Sequence, residues 1–419
     1  MRFDSLEAWL RWQEGLHPRT IDLGLERVSK VADRLGIRNP EATVITVAGT
    51  NGKGSSLAML YAIYRQAGYR VGLYTSPHIH HYNERIRIQG KMVEDARLCE
   101  AFEAIDQARG DISLSYFEFG TLAALWLFSE ADLDLVLLEV GLGGRLDAVN
   151  IVDADVSLIA TIDVDHIEWL GNDREQIGVE KAGIMRPGSP VIVSDAMPPG
   201  SIAQEAERIK SHLLRLGHDF RYSKTGQGWS WQMQQTQYDD LPLPALQGEF
   251  QLQNAAGVLA VVEALRTDLP VAREAIDEGL CGVRSAGRMT RISFEPDVIL
   301  DVAHNPQSTA ALAAYLSANP VSGRNLAVLG VMADKDVSGM LHPLLDCFDA
   351  WYLASPKIPR ALQVDILAEK LQDLGGQGVQ RFSSIADACE AARSAANSHD
   401  RIVIFGSFYT VAEAMPETL

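Results

Sequence analysis

The stretch that decides the fold runs from Thr43 to Tyr64 and reads TVITVAGTNGKGSSLAMLYAIY. A β-branched run feeds a glycine-rich turn, and the turn feeds a segment of good helix formers. Strand, glycine turn and helix in succession bring backbone N–H groups and a helix dipole together on a phosphate. The spacing is not that of the ordinary phosphate loop, G-x-x-x-x-G-K-[ST]. Gly49 precedes the Gly52-Lys53 pair by three residues rather than five, and Gly54 follows Lys53, so the hydroxyl arrives one place late at Ser55. Two readings stand: a phosphate cradle of another subtype with Lys53 as its mobile charge, or a helix cap beside a surface lysine.

Outward from this turn, short apolar runs alternate with helical patterns. RVGLY (Arg70–Tyr74), LDLVLLEV (Leu133–Val140), DVSLIATI (Asp155–Ile162) and PVIV (Pro190–Val193) come first; VILDV (Val298–Val302), NLAVLGV (Asn325–Val331), DAWYL (Asp349–Leu353) and RIVIF (Arg401–Phe405) follow. Runs apolar on both faces predict parallel strands covered by helices, in two successive α/β sheets. A length of 419 residues also exceeds what one core usually supports. The expected organisation is a phosphate-loop α/β domain over 1–284, a hinge over 285–295 containing SAGRMTR (Ser285–Arg291), and a second α/β domain over 296–419. Between the two sets, the polar segment from Gly217 to Pro244 reads as an antiparallel excursion or a long loop.

Composition excludes several classes. A formal net charge of −18 disfavours nonspecific nucleic-acid binding, whose footprint is a basic excess. Cys99, Cys281, Cys347 and Cys389 are far apart and form no C-x-x-C pair, so neither a disulfide framework nor a zinc site is expected. The N-terminus mixes charges and aromatics unlike a signal peptide, and the longest apolar run, Phe119–Phe128, is too short to span a bilayer. A cytoplasmic protein with no membrane or nucleic-acid partner is expected.

Several residues carry chemistry. LDLVLLEV puts Glu139 near a strand's C-terminal end, where open parallel sheets place their ligands. A carboxylate there offers the oxygen that Mg²⁺ requires as it bridges phosphates; the plain alternative is a glutamate in solvent. The next turn, GLGGRLDAVN (Gly141–Asn150), fails the dinucleotide pattern because Leu146 takes the third glycine position. Asp163, Asp165 and His166 follow the next strand, and a histidine there is more often a hydrogen-bonded loop residue than a ligand of a hard cation. Lys181 shares an apolar helical stripe with Ile177 and Ile184. Either it snorkels outward, or it is held inside as an amine of lowered pKa that pairs with phosphate or takes up CO₂ as a carbamate. Further on, Asp301, His304 and Asn305 follow a strand, Arg288 lies in the hinge, Asn254 opens a helix, and MADKD (Met332–Asp336) and GSFY (Gly406–Tyr409) end other strands. Together they fit a cleft closed by two domains, while each alone reads as a structural turn.

GTNGKGS from Gly49, YTSPH from Tyr74, NERIR from Asn83, SYFEFGT from Ser115, LEVGLGGRLDAVN from Leu138, DHIEWLG from Asp165, EKAGI from Glu180, DVAHNP from Asp301 and GSFY from Gly406 occur in that order. In this order they resemble the folylpolyglutamate synthase and dihydrofolate synthase family, relatives of the Mur ligases, over nearly the whole chain and most closely its bifunctional bacterial type. The resemblance implies a phosphate-loop domain of the Mur ligase central type followed by a Rossmann-like domain. It further implies that Thr50, Asn51, Gly52, Lys53, Gly54 and Ser55 cradle ATP phosphates, with Asn254, Arg288, Asp301 and His304 on the nucleotide. Ser76, Glu139 and His166 would ligate Mg²⁺, with two ions implied and a monovalent cation admitted, and Lys181 would be carbamylated. Asp22, Leu23, Gly24 and Leu25, with Ser115, Tyr116, Phe117 and Glu118 and with Leu146, Asp147 and Ala148, would line the pterin side. Phe117 offers a stacking face and Asp147 a hydrogen-bond acceptor.

The implied reaction is ADP-forming amide synthesis: a carboxylate of dihydropteroate or of a reduced folate is phosphorylated, and the amine of L-glutamate displaces phosphate. Lys53, Lys181 and His166 are the residues implied in catalysis, and a monomer is expected. A monofunctional folylpolyglutamate synthase, a Mur-type amide ligase and a phosphate-loop kinase are the alternatives. Only 48 residues precede Gly49, so the nucleotide-sugar domain of a Mur ligase is not expected there.

Overall fold

The computed structural model of the chain describes residues 2–19 and 21–415. The chain divides into two compact units, Met1–Ala245 with Leu252–Val283, and Leu246–Gln251 with Arg284–Leu419. The predominantly apolar runs became the interior strands, as two-faced burial requires. In the first unit one sheet contains β1 (Thr43–Ala48), β2 (Val71–Tyr74), β3 (Ile86–Ile88), β4 (Lys91–Met92), β5 (Leu135–Glu139), β6 (Val156–Ile159), β7 (Pro190–Val193) and β8 (His212–Arg215). Its order is β4-β3-β2-β5-β1-β6-β7-β8. From β2 to β8 every pairing is parallel, and β3 and β4 turn back antiparallel at one edge. Every residue of β2, β5 and β6 is buried. β3 and β8 carry arginine and histidine among their apolar residues and are only partly buried, so no apolar run marked them in the sequence.

β1 lies between β5 and β6, with Val47 beside Glu139 and Ala48 beside Ile159. Because β2, β5, β1 and β6 run parallel, their C-terminal ends open along one edge of the sheet. The polar segment after β8 is an excursion and not a loop: β9 (Phe220–Lys224), β10 (Gly228–Met233) and β11 (Thr236–Pro242) form an antiparallel sheet in the order β11-β10-β9. Its core is the alternation of Trp229, Trp231 and Met233. The indoles find acceptors, Trp229 on Pro242 O at 2.9 Å and Trp231 on Ala256 O at 3.0 Å, as buried indole N–H groups require.

The second unit's sheet contains β12 (Thr290–Phe294), β13 (Asp297–Leu300), β14 (Asn325–Leu329), β15 (Ala350–Leu353), β16 (Val379–Arg381) and β17 (Arg401–Phe405), ordered β12-β13-β17-β14-β15-β16. Only β12 is antiparallel. The stretch read as a hinge over 285–295 is therefore corrected in part, since most of its second half is this edge strand, whose T-R-I-S-F sequence is too polar to signal a buried one. Residues 246–251, assigned from sequence to the first domain, fall in the second unit. Asn254 does not open its helix, which starts a turn earlier in Phe250–Ala264. The four cysteines are free, and among the described residues no helix is long and apolar enough to cross a membrane.

β17 is anchored at its start by Asp400, whose side chain is wholly buried. Asp400 accepts from the Arg324 backbone N–H at 2.7 Å, the Arg324 guanidinium at 2.7 Å and the Asn397 N–H at 3.0 Å. Burial acts to raise its pKa, but these bonds outweigh it and hold the carboxyl at about 2. A depressed carboxyl stabilises the fold above its unfolded pKa and loses that contribution as pH falls through the folded value. Asp400→Asn is expected to destabilise the protein by about 2 kcal/mol near neutral pH. The deficit against the parent, followed by chemical denaturation, should shrink as pH falls from about 4 towards 2.

Candidate active site

β1 ends at Ala48, and the helix Lys53–Gln66 begins five residues later behind Gly52, which sits in the left-handed region at φ +90°. A Cβ on Gly52 would lie 2.6 Å from Asn254 Oδ1, so glycine is needed twice over and Asn254 lies against the loop. Thr50 stitches the loop to the chain beyond β6. Its N–H donates to Thr161 O at 2.7 Å, its hydroxyl donates to Asp163 O at 2.8 Å, and the Asp163 N–H donates back at 3.0 Å. Lys53 is folded over the loop, with Nζ donating to Gly49 O at 2.8 Å and Thr50 O at 3.2 Å. The shortened loop is thus pinned to its neighbour, with its lysine and a helix N-terminus at one end.

The buried Glu139, at the end of β5, accepts the Ser76 N–H at 3.0 Å. Glu84 holds the loop between Ser76 and Tyr82 by accepting the backbone N–H groups of Ile79, His80 and His81 at 2.9, 2.7 and 2.7 Å. Burial raises this carboxyl's pKa, but the three bonds prevail and hold it below the ordinary value. Arg85 Nε donates to His78 Nδ1 at 2.8 Å, and burial followed by this guanidinium pushes His78 down to about 4, so the imidazole is neutral. His166 adopts a left-handed backbone at φ +52°, and its ring, 39% exposed, lies 4.0 Å from the Asp165 carboxylate. Among the described residues no three His, Cys, Asp or Glu side chains form a preformed metal cage. The oxygen donors gathered here, the Glu139 carboxylate and the neighbouring Ser76 hydroxyl, nevertheless suit a hard cation that keeps water and phosphate ligands.

Lys181 is buried, at 3% exposure, which decides against snorkelling. The loop after β5 fixes its helix, Arg174–Ala182. Arg145 N–H donates to Glu180 O at 2.8 Å and its guanidinium pairs with the Glu180 carboxylate at 2.7 Å. Asn150 Nδ2 bridges Arg145 O at 3.0 Å and Gly183 O at 2.9 Å. A Cβ on Gly144 would meet Glu180 O at 2.9 Å, so a glycine that imitated a dinucleotide motif serves close packing. Burial first, then the charge of Lys53, press the Lys181 pKa well below normal, while Asp165 and Asp147 act the other way.

Three further sequence-predicted segments meet in the first unit. Gly24 N–H donates to Leu146 O at 3.3 Å, and Arg27 joins Asp22 to Glu118. Ser115 and Glu118 form a capping box that starts the helix Tyr116–Ser129. Phe117 lies 6.0 Å from the Tyr74 ring and so close to Gly141 that a Cβ there would be 2.7 Å from it. Asp147 is held in place by its own loop. Its oxygens already accept the Leu142 N–H at 2.8 Å and the Val149 N–H at 3.1 Å, and burial raises its carboxyl to about 7. Arg27 and His17 were not legible from sequence, since the partners of Arg27 include a residue 91 positions away.

In the second unit, buried Asp301 accepts the Met289 N–H at 2.9 Å and the Ala303 N–H at 2.8 Å. His304 Nδ1 donates to Val302 O at 2.7 Å. The Arg288 guanidinium lies 5.3 Å over the Phe408 ring, which His304 approaches at 6.4 Å. Arg288, His304 and Phe408 thus gather, and Phe408 was missed as an individual residue. Asn305 is a helix cap, its Oδ1 accepting the Ser308 N–H at 2.9 Å. A separate groove of about 680 Å³, lined by Thr225, Asp240, Asp277, Glu278 and Cys281 among others, contains none of the predicted residues.

The class is defined by the second unit, where residues 287–408 match the model described as Mur ligase, glutamate ligase domain. Over 98% of the chain and 94% of the relative, 46% of residues are identical to the dihydrofolate synthase/folylpolyglutamate synthase of Escherichia coli K12. The chain belongs to the dihydrofolate synthase/folylpolyglutamate synthase family. Among solved structures it resembles E. coli FolC in complex with DHPP and ADP, with a TM-score of 0.94 and 46% identity over 98% of this chain and 97% of that one. A bifunctional folylpolyglutamate synthase/dihydrofolate synthase with Mn, AMPPNP and L-glutamate bound matches with a TM-score of 0.91 and 44% identity, over 98% and 97% of the two chains.

A buried amine with a depressed pKa stabilises less when charged, so stability should rise with pH from its folded pKa to that of a free lysine. In carbonate-free buffer, Lys181→Met is therefore expected to raise the melting temperature at pH 7. The gain over the parent should narrow towards pH 10 in a thermal-melt series.

Proposed function

We propose that this chain is a bifunctional ATP-dependent ligase that joins L-glutamate to dihydropteroate, giving dihydrofolate, and to the γ-carboxyl of reduced folates. The observation that carries the reading is the convergence of a phosphate-type loop, a buried strand-end acid and a buried amine in a chain 46% identical over nearly its whole length to a relative of that name. Relatives solved with ADP and DHPP, and with Mn, AMPPNP and L-glutamate, support it.

The substrate carboxylate attacks the γ-phosphorus of ATP, ADP leaves, and an acyl phosphate results. The amine of glutamate then attacks the acyl carbon, and phosphate leaves as the amide forms. Thr50 to Ser55 would cradle the phosphates, with the backbone N–H groups at the helix start, Lys53 to Ser55, aimed at them, and Lys53 leaves its carbonyl acceptors to neutralise charge during transfer. Glu139, Ser76 and His166 would hold the divalent cation, Mg²⁺ in the cell and as a pair of ions, which supplies further charge neutralisation when bound. Asn254 contacts the loop from its own unit, and Arg288, Asp301 and His304 in the second unit offer a nucleoside a cation, an acceptor and a ring. Asp22–Leu25, Ser115–Glu118 and Leu146–Ala148 line the pterin side, with Phe117 as the stacking face. The neutral amine is the form that takes up CO₂, and burial with the charge of Lys53 holds Lys181 in that form. The enzyme acts as a monomer in the cytoplasm.

ADP release should require dihydropteroate and glutamate together, and tetrahydrofolate should substitute for dihydropteroate. ADP formation without an amide product would overturn the ligase reading, and failure of tetrahydrofolate alone would overturn bifunctionality. Lys53→Met should lower kcat about 10²–10³-fold. Lys181→Ala should lose activity and regain part of it with short carboxylates.

A further inference from the structure

We infer that Arg27 is a positioning residue that assembles the pterin-side wall, an inference that rests on the function proposed above. Arg27 stands in the first turn of the helix Glu26–Leu35. Its guanidinium reaches two segments: Nη1 pairs with Asp22 Oδ2 at 2.6 Å, while Nη2 donates to Asp22 O at 2.9 Å and to Glu118 Oε1 at 3.1 Å. Glu118 is buried, and its other oxygen caps the Ser115 N–H at 2.7 Å. One planar fork therefore fixes the loop at Asp22 against the helix start that carries Ser115 and Phe117.

A second brace acts on the same carboxylate. His17 Nε2 lies 3.1 Å from Asp22 Oδ2 and its Nδ1 lies 2.9 Å from Ser113 Oγ, while Arg19 reaches Asp22 Oδ1 at 3.5 Å. The loop's far side is tied to Leu146 O through Gly24. Three segments distant in sequence thus form one wall, and Arg27 bridges two of them. Arg27 acts on the wall through its bonds to Asp22 and Glu118. Truncating it frees the loop and leaves the buried Glu118 carboxylate without this cation. A lysine keeps the charge but is a point charge without the planar fork, and cannot reproduce both contacts.

Arg27→Met is expected to raise KM for dihydropteroate and for tetrahydrofolate alike by about 10- to 100-fold. KM for ATP and glutamate should stay within about twofold, and Arg27→Lys should recover part of the loss. Glu118→Gln, which keeps an acceptor for the Ser115 N–H but weakens the ion pair, should move the same two KM values in the same direction. A merely structural role would lower the melting temperature and leave the acceptor KM unchanged, or raise all the KM values together; either result overturns the inference. Hydrogen exchange adds an arm that needs no turnover: amides of Leu23 to Leu25 should exchange faster in Arg27→Met, and unchanged exchange overturns the brace. If the parent protein forms no amide from dihydropteroate, the proposed function fails, while the exchange result still decides whether Arg27 orders this wall.

Discussion

Thr50 holds the glycine loop to the chain that leaves β6 through three hydrogen bonds, and the geometry of the first unit's site follows from that stitch. A loop of this length has few internal bonds with which to define its shape. Anchored to a neighbouring strand end, it holds Gly52 against Asn254 and starts the helix that carries Lys53 and Ser55. The parallel order β2-β5-β1-β6 then brings Ser76, Glu139 and the Asp163–His166 turn to the same edge without long-range design in any one segment.

Each unit also buries groups that a stable interior avoids. Lys181, Asp147 and Asp301 are buried, and in each burial disfavours the charged form. Asp147 and Asp301 are held by backbone N–H donors, which partly offset the desolvation and fix their positions. The loop from Gly141 to Asn150 supports this arrangement, since Arg145 and Asn150 bind the helix of Lys181 while Gly141 admits Phe117.

Much of this was legible because the interior strands are apolar on both faces. LDLVLLEV and RIVIF admit few other readings, and the turns that follow such strands point to ligands by topology alone. Strands at or next to the sheet margins were lost because β12 and β3 alternate or carry arginine, a pattern shared with loops. Asn305 looks like a ligand residue in a list of polar side chains, yet its amide oxygen caps the helix that it starts. Arg27, His17 and Phe408 acquire meaning only from partners brought close by folding, and one chain's sequence contains no signal for such pairs.

The order of the second sheet bears on how the protein is made. β17, the last of the described strands in the chain, lies between β13 and β14 and pairs with both. While the chain is being synthesised, β13 and β14 each expose an unpaired inner edge until residues 401–405 leave the ribosome. The first sheet closes sooner, since β5 slots between β2 and β1 long before synthesis ends. Interrupted translation near the C-terminal end thus removes the middle of a sheet and not its margin, yielding a product with two open edges and a tendency to aggregate.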